Sequence, residues 1–133
     1  MDCNVVDRLK GRGIIPSAHR VAIGDYVLRT IEHPSADQVW ERVKTSFPVL
    51  SRATVYNTLN LFVRKGLLQE LILAEGKVVF DPNVADHHHL VEEDSGIIYD
   101  IPWDAVQVSG LDTLTDLEID SYQVVARGRK RRH

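Results

Sequence analysis

The chain has 133 residues, 44% of them hydrophobic, with 16 Lys/Arg against 19 Asp/Glu, six His and one Cys. That suffices for one ordinary domain or two very small ones and excludes a large enzyme core. The sequence contains no apolar run of membrane-spanning length and no apolar stretch at its start ahead of a cleavage site, so a cytoplasmic protein without membrane association is expected.

Charge is partitioned along the chain. Residues 1–70 carry ten Lys/Arg and seven Asp/Glu, residues 71–126 one Lys and twelve acids, and residues 127–133 five Lys/Arg. The first part can therefore face phosphate while the second is repelled from it. Cys3 alone forms neither an intrachain disulfide nor a thiolate cage, so any bound metal must be held by imidazole and carboxylate.

Helical periodicity opens in PSAHRVAIGDYVLRTI, where Val21, Val27, Leu28 and Ile31 form one apolar stripe behind a Ser17 cap. In PSADQVWERVKTSF, Ser35 followed three residues later by Gln38 marks a helix start before Val39, Trp40 and Val43. Ser51 caps RATVYNTLNLFVRKG, with Val55, Leu59 and Phe62 facing inward and Gly66 ending the helix. The period then changes to two. LLQELILAEGKVVFD predicts strands over 68–73 and 77–80 around a turn at Glu75 and Gly76. Three helices followed by a hairpin outline a winged helix, which leaves one helix face free for a major groove.

That face carries Arg52, Thr54, Tyr56, Asn57 and Asn60, with Arg64 and Lys65 at its far end. Such side chains contact base edges and phosphates, although the same composition also makes an ordinary solvated face. Arg20 near the first helix and Lys77 on the hairpin add positive charge to the nucleic-acid reading.

In ADHHHLV, strand alternation places His87 and His89 on one side and His88 on the other, facing solvent or an interface. Asp81 ends the second wing strand, and Asp100 ends GIIYD, expected to pair with the histidine strand across a turn at 94–96. Two imidazoles and two carboxylates suit Fe(II), Mn(II), Zn(II) or Co(II). His33, before a proline and a helix cap, is a further ligand candidate, although spacing alone favours a local cap or a surface histidine.

Taken together, LKGRGIIPSAHR, EHPSADQVWERV, FPVLSRATVYNTLNLFVRKGLLQEL and FDPNVADHHHLVEEDSGIIYD resemble, in order, the motifs of the ferric uptake regulator superfamily over residues 9–100. Within it the chain looks most like the peroxide-stress repressor branch, because Asp100 stands where iron-uptake regulators tend to have Glu and Asn57 where they tend to have Arg. The resemblance implies an α+β fold: an N-terminal winged helix-turn-helix over 1–80, a hinge at 81–85, and a small α/β dimerisation and regulatory domain over 86–133 with a basic tail. It implies regulatory metal ligands at His33, Asp81, His87, His89 and Asp100, filled by Fe(II) or Mn(II) with Zn(II) as a substitute. Oxidation by peroxide is expected at His33 and His87, and DNA contacts at Tyr56, Asn57 and Arg52.

The implied activity is that of a metal-dependent repressor, homodimeric on palindromic double-stranded DNA, that senses hydrogen peroxide. The alternative is an iron-, manganese- or zinc-responsive repressor of uptake genes without peroxide sensing. An enzyme is not expected, since no nucleophile or base stands apart from the ligands, and no small organic substrate is implied. Most members carry two Cys-x-x-Cys pairs for a structural zinc. Here Glu92 and Ser95 occupy the first pair's place and the tail offers no second, so no tetracysteine zinc forms. Val106, Val108, Leu111, Leu114, Leu117 and Ile119 are expected to supply apolar packing instead, and SYQVVARG to form the last strand.

Overall fold

A computed structural model describes residues 4–73 and 76–131, and the chain divides into two compact units, Met1–Val84 and Ala85–His133. Cys3 and the Glu75 side of the predicted hairpin turn lie outside the described residues.

The first unit has four helices and a hairpin: α1 Val5–Gly11, α2 Ala18–Val27, α3 Ala36–Val43, α4 Arg52–Arg64, β1 Gln69–Ile72 and β2 Val78–Asp81. The caps read from sequence form at two helices. Gln38 donates its backbone N–H to Ser35 Oγ at 3.2 Å, and Ser35 N–H donates to Gln38 Oε1 at 2.8 Å, a closed capping box. Thr54 N–H donates to Ser51 Oγ at 3.1 Å, and Gly66 ends α4 at φ +77°, a conformation glycine adopts without steric cost. At α2, Ser17 occupies the cap position without a side-chain bond to the helix backbone.

Helix α1 is additional to the three expected; Asn4 caps it by accepting from Asp7 N–H at 2.8 Å. Leu9, Ile23, Val27, Val39, Val55, Leu59 and Phe62 are fully enclosed and form the core, each contributing about 1.5–3 kcal/mol by burial. Gly24 permits α1 to approach α2, since a Cβ there would lie 2.9 Å from Val5 Cγ1. Ile31 departs from expectation at 88% exposed: α2 ends at Val27, so the helical stripe does not reach it.

The wing is antiparallel, with Gln69 opposite Asp81 and Ile72 opposite Val78. Phe80 N–H donates to the Pro34 carbonyl at 2.9 Å, which ties β2 to the segment just before α3. A winged helix followed by a sheet-bearing unit is thus present, in the α+β class.

The second unit is a three-stranded sheet in the order β4-β3-β5, built from β3 His87–Glu92, β4 Ile98–Pro102 and β5 Val125–Gly128. Strands β3 and β4 form the expected antiparallel pair, and β5, the expected last strand, runs parallel to β3. Helical structure among its described residues is limited to 3-10 turns at Trp103–Ala105 and Leu111–Thr113. Leu114, Leu117 and Ile119, expected to supply apolar packing, are 45%, 67% and 40% exposed in the single chain. Residues 114–124 follow no regular helix or strand, so no repeat holds these side chains against the sheet.

Where the cysteine pair is missing, polar contacts join the β3–β4 turn to the tail. Ser95 Oγ donates to Glu92 Oε1 at 3.0 Å and Tyr99 Oη to Glu92 Oε2 at 3.2 Å. Lys130 Nζ lies 5.2 Å from the Tyr99 ring centre, and the Tyr99 hydroxyl, with Glu92 behind it, raises the Lys130 pKa above the usual lysine range. Arg129 Nε adds a 3.8 Å contact to Asp94 Oδ1. Tyr99→Phe should lower stability by about 0.5–1.5 kcal/mol in urea unfolding of the whole chain, the net worth of one hydrogen bond. An unchanged midpoint would mean that this chain of contacts does not stabilise the unit.

Candidate metal centre

In the first unit, His33 is a non-glycine residue in the left-handed region, at φ +52°. Such a conformation costs of order 1 kcal/mol and persists only where neighbouring structure over-determines it. Here Pro34 follows, the Ser35 capping box begins α3, and Phe80 holds the Pro34 carbonyl. The His33 ring is buried with Nε2 3.2 Å from Asp81 Oδ2, and Asp81 Oδ1 accepts from Asn83 N–H at 2.9 Å. Asp81 is the last residue of β2, so wing and helix entry together position this pair.

In the second unit, His87 and His89 share one face of β3, with ring centres 4.4 Å apart and edge to face. Their Nε2 atoms lie 3.4 and 3.6 Å from the same atom, Asp100 Oδ1, and Asp100 stands directly opposite His89 in the β3–β4 register. His87 Nδ1 is 2.6 Å from the Ala85 carbonyl oxygen, which only accepts. Nδ1 therefore carries a proton, and in the neutral ring the lone pair is then on Nε2, the tautomer an ion requires. Metal bonds of about 2.0–2.2 Å separate neighbouring donor atoms by roughly 2.8–3.6 Å at octahedral to tetrahedral angles. The separations within each unit match that spacing, and the nitrogen–oxygen donor set fits a borderline divalent ion.

His88 corrects an expectation. It projects to the other face of β3, but it is fully buried rather than facing solvent or an interface. Trp103 covers it in a stack with centres 4.6 Å apart and planes 15° from parallel, Tyr122 lies against Trp103, and His88 Nδ1 accepts from Val124 N–H at 2.9 Å. Its Nε2 has no hydrogen-bond partner among the described residues.

On α4, Arg52, Tyr56, Asn57, Asn60, Arg64 and Lys65 are exposed, as is Lys77 at the wing. Thr54 is half-buried and its hydroxyl is engaged with Ser51 Oγ at 2.9 Å, while Arg20 donates to the Ile15 carbonyl at 3.0 Å. Two concavities flank the helix. One of about 340 Å³ is lined by His19, Arg20, Ser51 and Asn57, and one of about 440 Å³ by Tyr56, Asn60, Glu70 and Lys77. Sequence reading missed that Trp40 carries two cations, Lys44 Nζ at 4.0 Å and Arg52 Cζ at 4.5 Å from its ring centre. It also missed Gln123, whose Oε1 lies 3.1 Å from His89 Nδ1. The spacing of 34 residues between those two gives no local signal.

A winged helix followed by a sheet that carries imidazoles and a carboxylate on one face defines a class of metal-responsive regulator. The profile of the ferric uptake regulator family matches residues 12–125, and the chain belongs to that family, whose members are DNA-binding, dimeric transcription regulators rather than enzymes. The chain is 34% identical over 112 residues to the peroxide operon regulator of Bacillus subtilis, covering 84% of this chain and 74% of that protein. It is 34% identical over 95 residues to a peroxide-responsive repressor of Staphylococcus aureus, covering 71% of this chain and 64% of the relative. The crystal structure of the Vibrio cholerae ferric uptake regulator shares the fold, with TM-score 0.70 at 22% identity over 94% of this chain and 98% of the other. Among the described residues no helix is long and apolar enough to cross a membrane.

Because His88 fills the far face of β3 and accepts from Val124, His88→Ala should destabilise the chain by about 1–3 kcal/mol, the cost of leaving a buried donor unsatisfied. Urea unfolding measures this directly. An unchanged midpoint would show that the stack and hydrogen bond do not support the sheet.

Proposed function

We propose that this protein is a cytoplasmic, metal-dependent repressor that binds palindromic double-stranded DNA as a homodimer and senses hydrogen peroxide by iron-catalysed oxidation of a ligand histidine. The observation that carries the reading is the convergence of the His87 and His89 Nε2 atoms on Asp100 Oδ1. It supplies imidazole and carboxylate donors with no thiolate, a set in which Fe(II) or Mn(II) is at home and Zn(II) substitutes. The likeness to proteins named as peroxide regulators in Bacillus subtilis and Staphylococcus aureus supports the sensing reading.

In this reading one ion per chain takes His33 and Asp81 from the first unit and His87, His89 and Asp100 from the second; each of these residues carries a suitable donor atom. An ion bound by both units favours the arrangement in which all five donors reach it. DNA affinity rises only if that arrangement is also the one DNA prefers, since tight binding to every state shifts nothing. Fe(II), when bound, would supply the one-electron chemistry that opens the O–O bond of peroxide, with no net change in the iron. His33 or His87 would give up the two electrons that peroxide takes, so that one oxygen atom ends on a ring carbon in place of its hydrogen and the other leaves as water. A ring so altered would be a poorer ligand for the shared ion.

Arg52, Tyr56, Asn57 and Asn60 read the duplex, with Thr54 at the start of the same helix, while Arg20, Arg64, Lys65 and Lys77 meet phosphates. The domain reading assigns 1–80 to DNA, 81–85 to a hinge and 86–133 to dimerisation and metal. Leu114, Leu117 and Ile119, exposed in the single chain, are apolar surface of the kind that marks a protein interface. The acidic composition of the second part keeps it away from DNA.

The alternative, a repressor of uptake genes responsive to iron, manganese or zinc without peroxide sensing, uses the same donors. The two separate in one experiment. A duplex selected from a random pool by the Mn(II)-loaded protein is bound anaerobically to the Fe(II) and Mn(II) forms, which are then treated with peroxide. Loss of DNA affinity by roughly 5- to 150-fold in the Fe(II) form alone, with one added oxygen on the His33 or His87 peptide, is expected. Retained binding in both forms would favour the alternative, and DNA binding indifferent to metal would end both readings.

A further inference from the structure

The histidine strand is tied to the last strand by more than a backbone ladder. Parallel pairing of β3 with β5 runs from His89 opposite Val125 to Glu92 opposite Gly128. Immediately before it, three further bonds gather on Gln123 and Val124. His89 N–H donates to the Val124 carbonyl at 3.0 Å, Val124 N–H donates to His88 Nδ1 at 2.9 Å, and His89 Nδ1 lies 3.1 Å from Gln123 Oε1. An amide oxygen only accepts, so the last contact requires the proton on His89 Nδ1 and leaves the lone pair on Nε2, the nitrogen that faces Asp100.

We propose that Gln123 is a positioning residue for the metal centre: its side-chain oxygen selects the tautomer and ring orientation of His89, and so makes strand β5 a support of the ion. The inference rests on His89 being a ligand, as in the proposed function. His87 and His89 differ in an instructive way. The acceptor for His87 is the backbone of Ala85, two residues away, which comes with the strand itself. The acceptor for His89 is an exposed side chain from a segment that reaches β3 only after the long irregular stretch, so this ligand's orientation depends on β5 being docked. His88 holds the neighbouring Val124 from the opposite face of β3, beneath Trp103. Ion binding and the ordering of 123–128 are therefore linked: each favours the other by the same factor.

The test uses the full chain, Mn(II) alone as probe, and three substitutions. Gln123→Met keeps length and removes the acceptor, Gln123→Glu keeps an oxygen acceptor, and His89→Ala checks the ligand assignment. Gln123 is exposed, so unfolding midpoints of the two metal-free Gln123 variants should match the parent. Mn(II) affinity, read by competition with a chelating indicator, should fall about 10- to 100-fold in Gln123→Met, the usual cost of losing a ligand histidine's hydrogen-bond partner, and return in Gln123→Glu. Backbone amides of 124–128 should exchange more slowly with Mn(II) present in the parent and in Gln123→Glu, but not in Gln123→Met. Parental affinity in Gln123→Met, or equal weakening in Gln123→Met and Gln123→Glu, would overturn the proposal while leaving the metal reading intact. Unaltered affinity in His89→Ala would remove the ligand assignment and this inference with it.

Discussion

A neutral imidazole has one lone pair to give, so a histidine serves an ion only when its other nitrogen has somewhere to place a proton. The second unit is organised around that constraint. Strand alternation brings His87 and His89 to one face, the β3–β4 register sets Asp100 opposite His89, and separate oxygen acceptors stand behind the two rings at Ala85 and Gln123. The two rings are thereby aimed at one carboxylate oxygen without any cysteine. His88 secures the same strand from behind by accepting from Val124 and stacking on Trp103. The three adjacent histidines divide into two that present donors and one that holds the sheet.

The first unit reaches a comparable rigidity by backbone means. A left-handed His33 is unfavourable alone, yet it falls between the end of α2 and a closed capping box, with the next carbonyl held by the wing. The strain is offset by these neighbours, and its product is a buried imidazole 3.2 Å from a buried carboxylate. The same capping box begins α3, whose Trp40 indole donates to the Leu50 carbonyl at 2.9 Å and stacks with Arg52 at the first turn of α4. The segment that orients His33 is thus continuous with the one that orients the exposed face of α4. In the second unit, the contacts of Glu92 with Ser95 and Tyr99, and of Tyr99 with Lys130, join the β3–β4 turn to the tail.

Legibility in the sequence followed the range of the interactions. Helices α3 and α4 were readable because a serine cap and an apolar period agree in each, and at α4 Gly66 marks the end as well. The histidine hairpin was readable because alternation and a turn are equally local. Helix α1 was not, since VVDRLKG is too short to display a period. Ile31 was assigned to a stripe that stops one turn earlier. Alternation correctly separated His88 from its neighbours but could not reveal that Trp103 and Tyr122 would close over it. Gln123 lies beyond an irregular stretch, and a parallel pairing across that distance leaves no spacing to read. Leu114, Leu117 and Ile119 were recognisable as apolar, but not as surface, because burial within one chain and burial against another demand the same residue types.

The proposed function requires a single ion that takes donors from both units. Calorimetric titration of Mn(II) into the metal-free full chain, repeated on His33→Ala and His89→Ala, tests this most directly. It predicts one Mn(II) per chain, with each substitution weakening that same binding event by at least about tenfold. Two Mn(II) per chain, one lost with His33 and the other with His89, would contradict it.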